Sequence, residues 1–224
     1  MPVEVDLLLL PNVVEGRYDW MSRQHEALMV PVPRLVTRAL KTWHDGLDVS
    51  TVPNCGIGSV ALEVLALAAH QQLRWQQKWQ GYSRKDSPKV YQARLFQAAL
   101  SLLVEAVEEG RVVTVDAGTW GSPRSPLDYQ HCWAADPVKI IHPIDPTCNL
   151  AHQRPDKPTA QWQAVAAEAK ELLDTFRTGT LGEVLGRLGP AMQLQRDRER
   201  AAWDRRLRLV LTSPDGWGTT AFRR

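Results

Sequence analysis

The chain has 224 residues, of which 44% are apolar and 23% charged, so it should fold around a buried core rather than stay disordered. Its formal net charge of +2 excludes a polycationic protein that packs nucleic acid, although a local basic face remains compatible with it. Three separated cysteines without a CxxC pair exclude zinc-ribbon and thioredoxin-like sites and suit a reducing, cytoplasmic setting. No apolar run is long enough to span a membrane.

The first third of the chain predicts one strand followed by two helices. Residues 3–10 have the composition of a short strand, which Pro11 ends. A helix is predicted from about residue 32 to 44, because its apolar residues fall within one arc at the helical period. These residues are Val32, Leu35, Val36, Ala39, Leu40 and Trp43. A second helix, from near Gly58 to about residue 79, is apolar nearly all round in its first half, which should therefore be buried.

The remainder of the chain predicts further helices joined by Gly- and Pro-rich segments. They are, in order, a helix over roughly 89–109, an extended segment over 111–116, a loop over 117–136, a helix over about 160–173 and a charged helix over about 192–211. Gly110 is a C-cap signal for the first of these helices. HPIDPTCNLAHQ, which starts at His142, should be a turn because its prolines lack the backbone N–H donor.

Several polar side chains of the first two helices have spacings that suit phosphate binding. Arg34, Arg38 and Lys41 project from one helix face, which either binds phosphates or is an ordinary solvated surface. Ser59 follows GIG at the start of the second helix and either caps that helix or binds a phosphate there. Glu63, one turn later on an apolar surface, needs a partner, which we expect to be an arginine.

Two further groups of polar residues allow a chemical or a structural role. Asp6, with Glu4 on the same strand face, could bind a metal ion if further carboxylates converge on it, or it could be a strand-edge charge. Asp145 and Asn149 lie in the Pro-rich turn, where such side chains usually bond to nearby backbone, so a structural role is favoured.

Taken in order, these segments resemble the 2′-5′-oligoadenylate synthetase family. RALKTW at 38–43, followed by SVALEVL at 59–65, resembles the family's RxxKHW helix and the ALELL helix after it. HPIDPTCNLA at 142–151 is similar to the family's DPADPTxNL turn. WQAVAAEAKELL at 162–173 is similar to the tryptophan-led helix after that turn, and VEVDLL at 3–8 to the strand that bears the third catalytic aspartate.

The resemblance implies an α+β, mostly helical chain: the C-terminal helical lobe of a two-lobed nucleotidyltransferase with a remnant of the catalytic β-sheet. Residues 1–30 would be that remnant, residues 31–175 the helical domain, and residues 176–224 a Gly-rich linker and a basic C-terminal helix. The implied reaction joins ATP units through 2′-5′ linkages with magnesium as the cofactor. Antiviral defence in the cytoplasm is the implied setting.

The resemblance also implies roles for five residues. Asp6 would be a catalytic aspartate and a magnesium ligand. Arg38 and Lys41 would contact the nucleotide phosphates, and Ser59 falls where the family has a polar residue in contact with the nucleotide. Arg23 matches a basic residue that helps to bind double-stranded RNA, the activating partner.

Two departures from the family pattern keep alternatives open. The family's Gly-Ser motif and DxD carboxylates lie upstream of the third aspartate, whereas only five residues precede Asp6 here. We therefore expect either a partial chain of an active enzyme or a catalytically inactive nucleotide- or RNA-binding relative. Val60 replaces the aromatic residue that stacks on the base, so a nucleotidyltransferase with a cyclic or 3′-linked product is a further hypothesis.

Overall fold

A computed structural model of the chain describes residues 25–47, 57–79, 87–118, 125–152 and 162–180, together with scattered positions between 182 and 205. The described part is mostly helical, as expected. Its elements are a short helical segment over residues 25–29, α1 (Arg34–Asp45), α2 (Ser59–Trp79), α3 (Pro88–Glu108), a 3-10 helix (Pro126–Cys132) and α4 (Trp162–Thr178). The strand expected over residues 3–10, with Asp6, lies outside the described residues, as does Arg23.

Helix α1 packs against α2 and α3 through the apolar stripe that its sequence predicts. Val36, Leu40 and Trp43 are buried in the core, which confirms the helical period of the pattern. Leu35 differs from this expectation, because its side chain is 61% exposed. Leu35 lies at one edge of the apolar arc, where α1 borders a surface groove and no neighbouring helix of the described part covers the side chain.

Helix α2 is the central element of the core. As expected, its first half is buried almost all round, because α1 and α3 both pack against it. The buried residues are Ala61, Leu62, Val64, Leu65, Ala66, Leu67, Ala68 and Ala69. Glu63 lies in the middle of this buried run, so its carboxylate has to find partners close to the core.

Helices α3 and α4 form the most extensive helix pair among the described elements. Helix α3 begins with Ser87, whose hydroxyl accepts a 3.4 Å hydrogen bond from the Val90 amide, and with a proline at the first helical position. Helix α4 continues five residues beyond its expected end. Phe176, in the added turn, contacts Phe96 of α3 edge to face with ring centroids 6.2 Å apart, which gives the extension an apolar partner.

The Gly-rich stretch that was expected to be a linker is helical in part, at residues 182–184 and 186–189. Thr180 and Glu183, three residues apart, form a capping box. The Glu183 carboxylate accepts from the Thr180 amide at 2.6 Å, and the Thr180 hydroxyl accepts from the Glu183 amide at 3.3 Å. Val184 is buried, so this stretch packs on the helical body.

The segment between α3 and α4 supplies the β structure of the described residues, as isolated bridges. Val113 pairs in parallel with Ile140, and Ile141 pairs antiparallel with Asn149. The loop expected over 117–136 is corrected in one part, since Pro126–Cys132 forms a 3-10 helix. Ser125 explains its start, because its hydroxyl accepts a 3.3 Å hydrogen bond from the Leu127 amide directly before the proline.

Gly110 follows the last residues of α3 with a φ of +68°, as its C-cap signal predicted. Gly110→Ala should lower the free energy of unfolding by about 1 kcal/mol, because an L-residue is strained in this left-handed conformation. A Cβ there meets no atom within 4 Å, so the cost comes from the backbone alone.

The matched control is Gly186→Ala, where a Cβ also meets open space but φ is not in the left-handed region. Because Gly186 is helical and exposed, alanine there should keep the stability or raise it by up to about 1 kcal/mol. Urea unfolding of both variants checks the prediction, and equal destabilisation of the two would contradict it.

No helix of the described part combines the length and the apolar character that are needed to cross a bilayer.

Candidate functional site

Glu63 lies at the centre of a polar cluster at the junction of α1, α2 and the helical segment 25–29. One carboxylate oxygen accepts a hydrogen bond from the Lys41 ammonium, and the other lies 2.6 Å from His25 Nε2. The Glu63 side chain is only 19% exposed. The expectation that this carboxylate needs a partner is confirmed, but the expected arginine is wrong, because a lysine and a histidine take that place. We call Glu63, Lys41 and His25 the Glu63 cluster.

The cluster holds Glu63 ionised over the physiological range. The hydrogen bond from His25 and the charge and hydrogen bond of Lys41 lower the pKa of Glu63 from 4.5 to about 2, although burial acts in the opposite direction. The carboxylate is therefore a fixed negative charge between two helices, and it holds the Lys41 ammonium at one place on the α1 surface.

His142 connects the Pro-rich turn to this cluster. Its ring lies beside that of His25, with centroids 6.2 Å apart and an angle of 31° between the planes. Its Nδ1 accepts hydrogen bonds from the amides of Ile144 and Asp145 at 3.2 and 3.1 Å, which requires the proton on Nε2. Burial, and then the charge of His25, keep the pKa of His142 below 6.5. His142 thus acts as a neutral support for the turn.

The other two polar residues of the turn have the structural role that the sequence favours. The Asp145 carboxylate accepts from the amide and the hydroxyl of Thr147, at 3.1 and 2.6 Å. The buried Asn149 side chain makes four hydrogen bonds, each of 2.8 to 3.0 Å. Its partners are the Ile140 amide, the Ala151 amide, the Val138 carbonyl and the Asp136 carboxylate. These bonds fix the turn's shape.

The three cations of the basic face of α1 lie in three different environments. Lys41 pairs with Glu63, whereas Arg34 lines a pocket of about 630 Å³ between α1, α2 and residues 25–29. The polar residues of this pocket are His25, Glu26, Arg34, Thr37 and Glu63. Arg38 is exposed and lines a separate apolar groove. The spacing of the three cations was predicted correctly, but they do not form one uniform patch.

Ser59 is the exposed first residue of α2, directly after Gly58. It is therefore inside the helix and is not the N-cap that one interpretation predicted. Ser59 and Glu63 are four residues apart and so share a helix face. Because Glu63 holds Lys41, the amino-terminal end of α2 lies close to the basic face of α1. A helix start beside cations suits an anion such as a phosphate.

Magnesium is the cofactor that the resemblance implies, with Asp6 as its ligand. Among the residues that the structure describes, no three His, Cys, Asp or Glu side chains are placed to hold a metal ion. Asp6 lies outside these residues, as does the Arg23 assigned to RNA.

His25 is the site residue that the sequence reasoning missed. It lies 38 positions before Glu63, so no local spacing connects the two. The sequence predicted His142 only as the first residue of the Pro-rich turn. Its contact with His25 joins segments more than a hundred residues apart, and such long-range pairs have no periodic signal in the sequence.

Acidification should destabilise the protein in two stages. Burial keeps the pKa of His44, His70 and His142 below 6.5, so the unfolded chain binds more protons, and stability falls, once the pH drops below that value. Glu63 contributes stability that is intact above about pH 4.5 and lost as the pH falls towards its folded pKa of about 2.

Urea unfolding at a series of pH values measures both stages. Glu63→Gln should weaken the second stage and keep the first, because it removes the carboxylate but none of the three histidines. A variant whose stability falls as steeply as that of the wild type below pH 4.5 would contradict the assignment.

No family model matches this chain, and neither a curated protein nor a solved structure matches it. The family resemblance therefore rests on the order and spacing of the sequence motifs.

Proposed function

We propose that this chain contributes the helical lobe of a nucleotidyltransferase similar to the 2′-5′-oligoadenylate synthetases, with ATP as the substrate. The proposal is supported by the positions of the sequence motifs in the secondary structure. RALKTW lies within α1, SVALEVL opens α2, HPIDPTCNLA forms the turn, and α4 begins at Trp162. Helices α1 to α4 pack around one hydrophobic core, so these motifs belong to one body.

The Glu63 cluster is the observation that carries the proposal. By binding Lys41 of α1 from within α2, Glu63 sets the register of the two helices and places the Lys41 ammonium beside the first turns of α2. An ammonium group has three N–H donors, so Lys41 can bind Glu63 and still donate to a phosphate oxygen. A triphosphate bound between α1 and the start of α2 would pair with the cations of α1 and accept hydrogen bonds from the backbone N–H groups at the start of α2.

In the proposed site, each described residue has a distinct task. Arg38 and Lys41 neutralise the negative charge that the phosphates carry through the transition state, and Ser59 orients the triphosphate at the helix start. Magnesium, held through Asp6, would polarise the phosphates when bound. Arg23 is proposed to contact an activating double-stranded RNA.

A catalytically inactive nucleotide- or RNA-binding relative is the second candidate. The engagement of Lys41 by Glu63 favours it, because the pair offsets part of the positive charge that a reacting triphosphate needs. A third candidate forms a cyclic or 3′-linked product. Its support is Val60, because valine has no aromatic ring on which a base could stack. The Val60 side chain is partly buried and packs against the core.

Nucleotide binding to a paired variant tests the proposal. Fluorescence polarisation with a fluorescent ATP should show that Arg38→Ala combined with Lys41→Ala raises Kd by at least about tenfold, because two charge-assisted phosphate contacts are lost. Arg38→Ala alone, which leaves the Glu63 cluster intact, should raise Kd several-fold. The matched control removes two exposed cations of α4, Lys170 and Arg177, and should leave Kd unchanged.

Unchanged binding in the Arg38–Lys41 double variant would contradict the proposed site. Product analysis of the intact enzyme, one that includes the family's Gly-Ser motif and DxD carboxylates, separates the three candidates. Oligomers with 2′-5′ linkages support the first, cyclic or 3′-linked products the third, and binding without any product the second.

A further inference from the structure

An apolar groove borders α1 on the flank that carries Arg38, and none of the three residues of the Glu63 cluster lines it. It has a volume of about 730 Å³ and lies between α1, α3 and the end of α4. Its apolar lining includes Leu35, Ala39, Trp43, Ala93, Phe96 and Phe176. Trp43 and Phe96 are buried beneath it, whereas Leu35 is largely exposed at its edge. The groove therefore leaves apolar surface in contact with water at the position where the helix pattern predicted core.

The charged residues of this groove all have the same sign. Arg38 of α1, Lys89 of α3 and Arg196 of the C-terminal stretch line it, and no aspartate or glutamate is among its described lining residues. Three cations from three elements beside an apolar floor make a surface that attracts negative charge and apolar groups together. This combination is complementary to a molecule with an apolar body and an acidic end.

We infer that this groove binds a single-chain amphiphile, with its hydrocarbon tail over Trp43, Ala93 and Phe96 and its anionic head group at the cations. The volume lies within the roughly 300–1,000 Å³ of small-molecule pockets, which are mostly apolar with a few placed polar groups. A helical peptide partner would instead need anchors along several turns of an extended groove. Lys89 and Ala93 are outside the nucleotide site, so this binding can be tested separately from the proposed function.

Dodecanoate is the probe, and isothermal titration calorimetry measures its Kd. We expect a Kd on the order of 1–100 µM, and at least about tenfold weaker binding of dodecyltrimethylammonium, which has the same tail and the opposite charge. Ala93→Trp fills the groove from an exposed position on α3 and should weaken dodecanoate binding by at least about tenfold. Lys89→Glu should weaken it several-fold. The matched control is Ala167→Trp, at an exposed position of α4 outside the groove, which should bind like the wild type.

Three results would overturn the inference: equal affinity for the two amphiphiles, wild-type binding by a folded Ala93→Trp variant, or no binding of dodecanoate at about 1 mM. Circular dichroism and thermal melting establish that the variants are folded. If dodecanoate does not bind and Ala93→Trp instead changes self-association in sedimentation analysis, the groove is a contact between copies of the chain and the inference is wrong. Fluorescent ATP binding to Lys89→Glu gives the separate readout for the nucleotide site.

Discussion

Glu63→Ala should lower the free energy of unfolding by about 2–3 kcal/mol. The substitution removes the carboxylate that Lys41 and His25 share, and it leaves an ammonium and an imidazole next to the buried face of α2 without their acceptor. The cost stays below the about 3–5 kcal/mol of a fully buried pair, because the Lys41 side chain is 36% exposed and can reach water. Urea unfolding at neutral pH measures the change.

Glu171→Ala is the control for this prediction, since it removes a helix glutamate that also pairs with a cation, Arg187. Glu171 is 61% exposed, so the loss should be below about 1 kcal/mol. Both substitutions replace a helical glutamate by alanine, so helix propensity affects them equally. A Glu63→Ala variant as stable as Glu171→Ala would show that the Glu63 cluster does not join α1 to α2.

Asn149→Ala should lower the stability by about 3–5 kcal/mol, the largest effect that we expect of the substitutions considered. Its side chain satisfies two backbone amides and one backbone carbonyl, all close to the core. Methyl replacement leaves these groups buried without a partner, and each such group costs about 1–3 kcal/mol. Thermal melting and urea unfolding measure the loss.

Asn149→Asp refines this prediction. It keeps an oxygen for the amides of Ile140 and Ala151, but it loses the donor to Val138 and brings a second carboxylate towards Asp136. We therefore expect an intermediate loss that becomes smaller at acidic pH, where protonation relieves the repulsion. Gln130→Ala, at an exposed position nearby, should stay within about 0.5 kcal/mol. Equal stability of Asn149→Ala and Gln130→Ala would contradict the structural role of the turn.

The four main helices were predictable because each buries an apolar stripe or surface, and burial leaves a period in the sequence. Local patterns were less informative where tertiary contacts decide the structure. Helix α4 extends far enough for Phe176 to contact Phe96 of α3. No local sequence pattern predicts this extension. Leu35 fits the apolar arc of α1 and is nevertheless exposed, because burial also depends on which neighbour stands opposite. The capping box of Thr180 and Glu183 is an exception, because its three-residue spacing is a local signal in the sequence.

The candidate site was predictable only in its local part. The three-and-four spacing put Arg34, Arg38 and Lys41 on one face of α1, and the apolar run around Glu63 showed that this carboxylate needs a partner. The partners themselves come from separate segments, and the surroundings of each cation depend on what packs beside α1. Lys41 pairs with the Glu63 carboxylate, whereas Arg38 borders an apolar groove. Two cations one turn apart on the same helix therefore have different electrostatic environments.

A crystal structure of this chain with a non-hydrolysable ATP analogue and magnesium tests the central proposal most directly. The account predicts that the triphosphate oxygens lie within hydrogen-bond distance of the Arg38 guanidinium and of the start of α2 at Ser59, with the Glu63–Lys41 pair intact beneath them. A triphosphate bound elsewhere on the molecule, or a surface between α1 and α2 without nucleotide at saturating concentration, would contradict it.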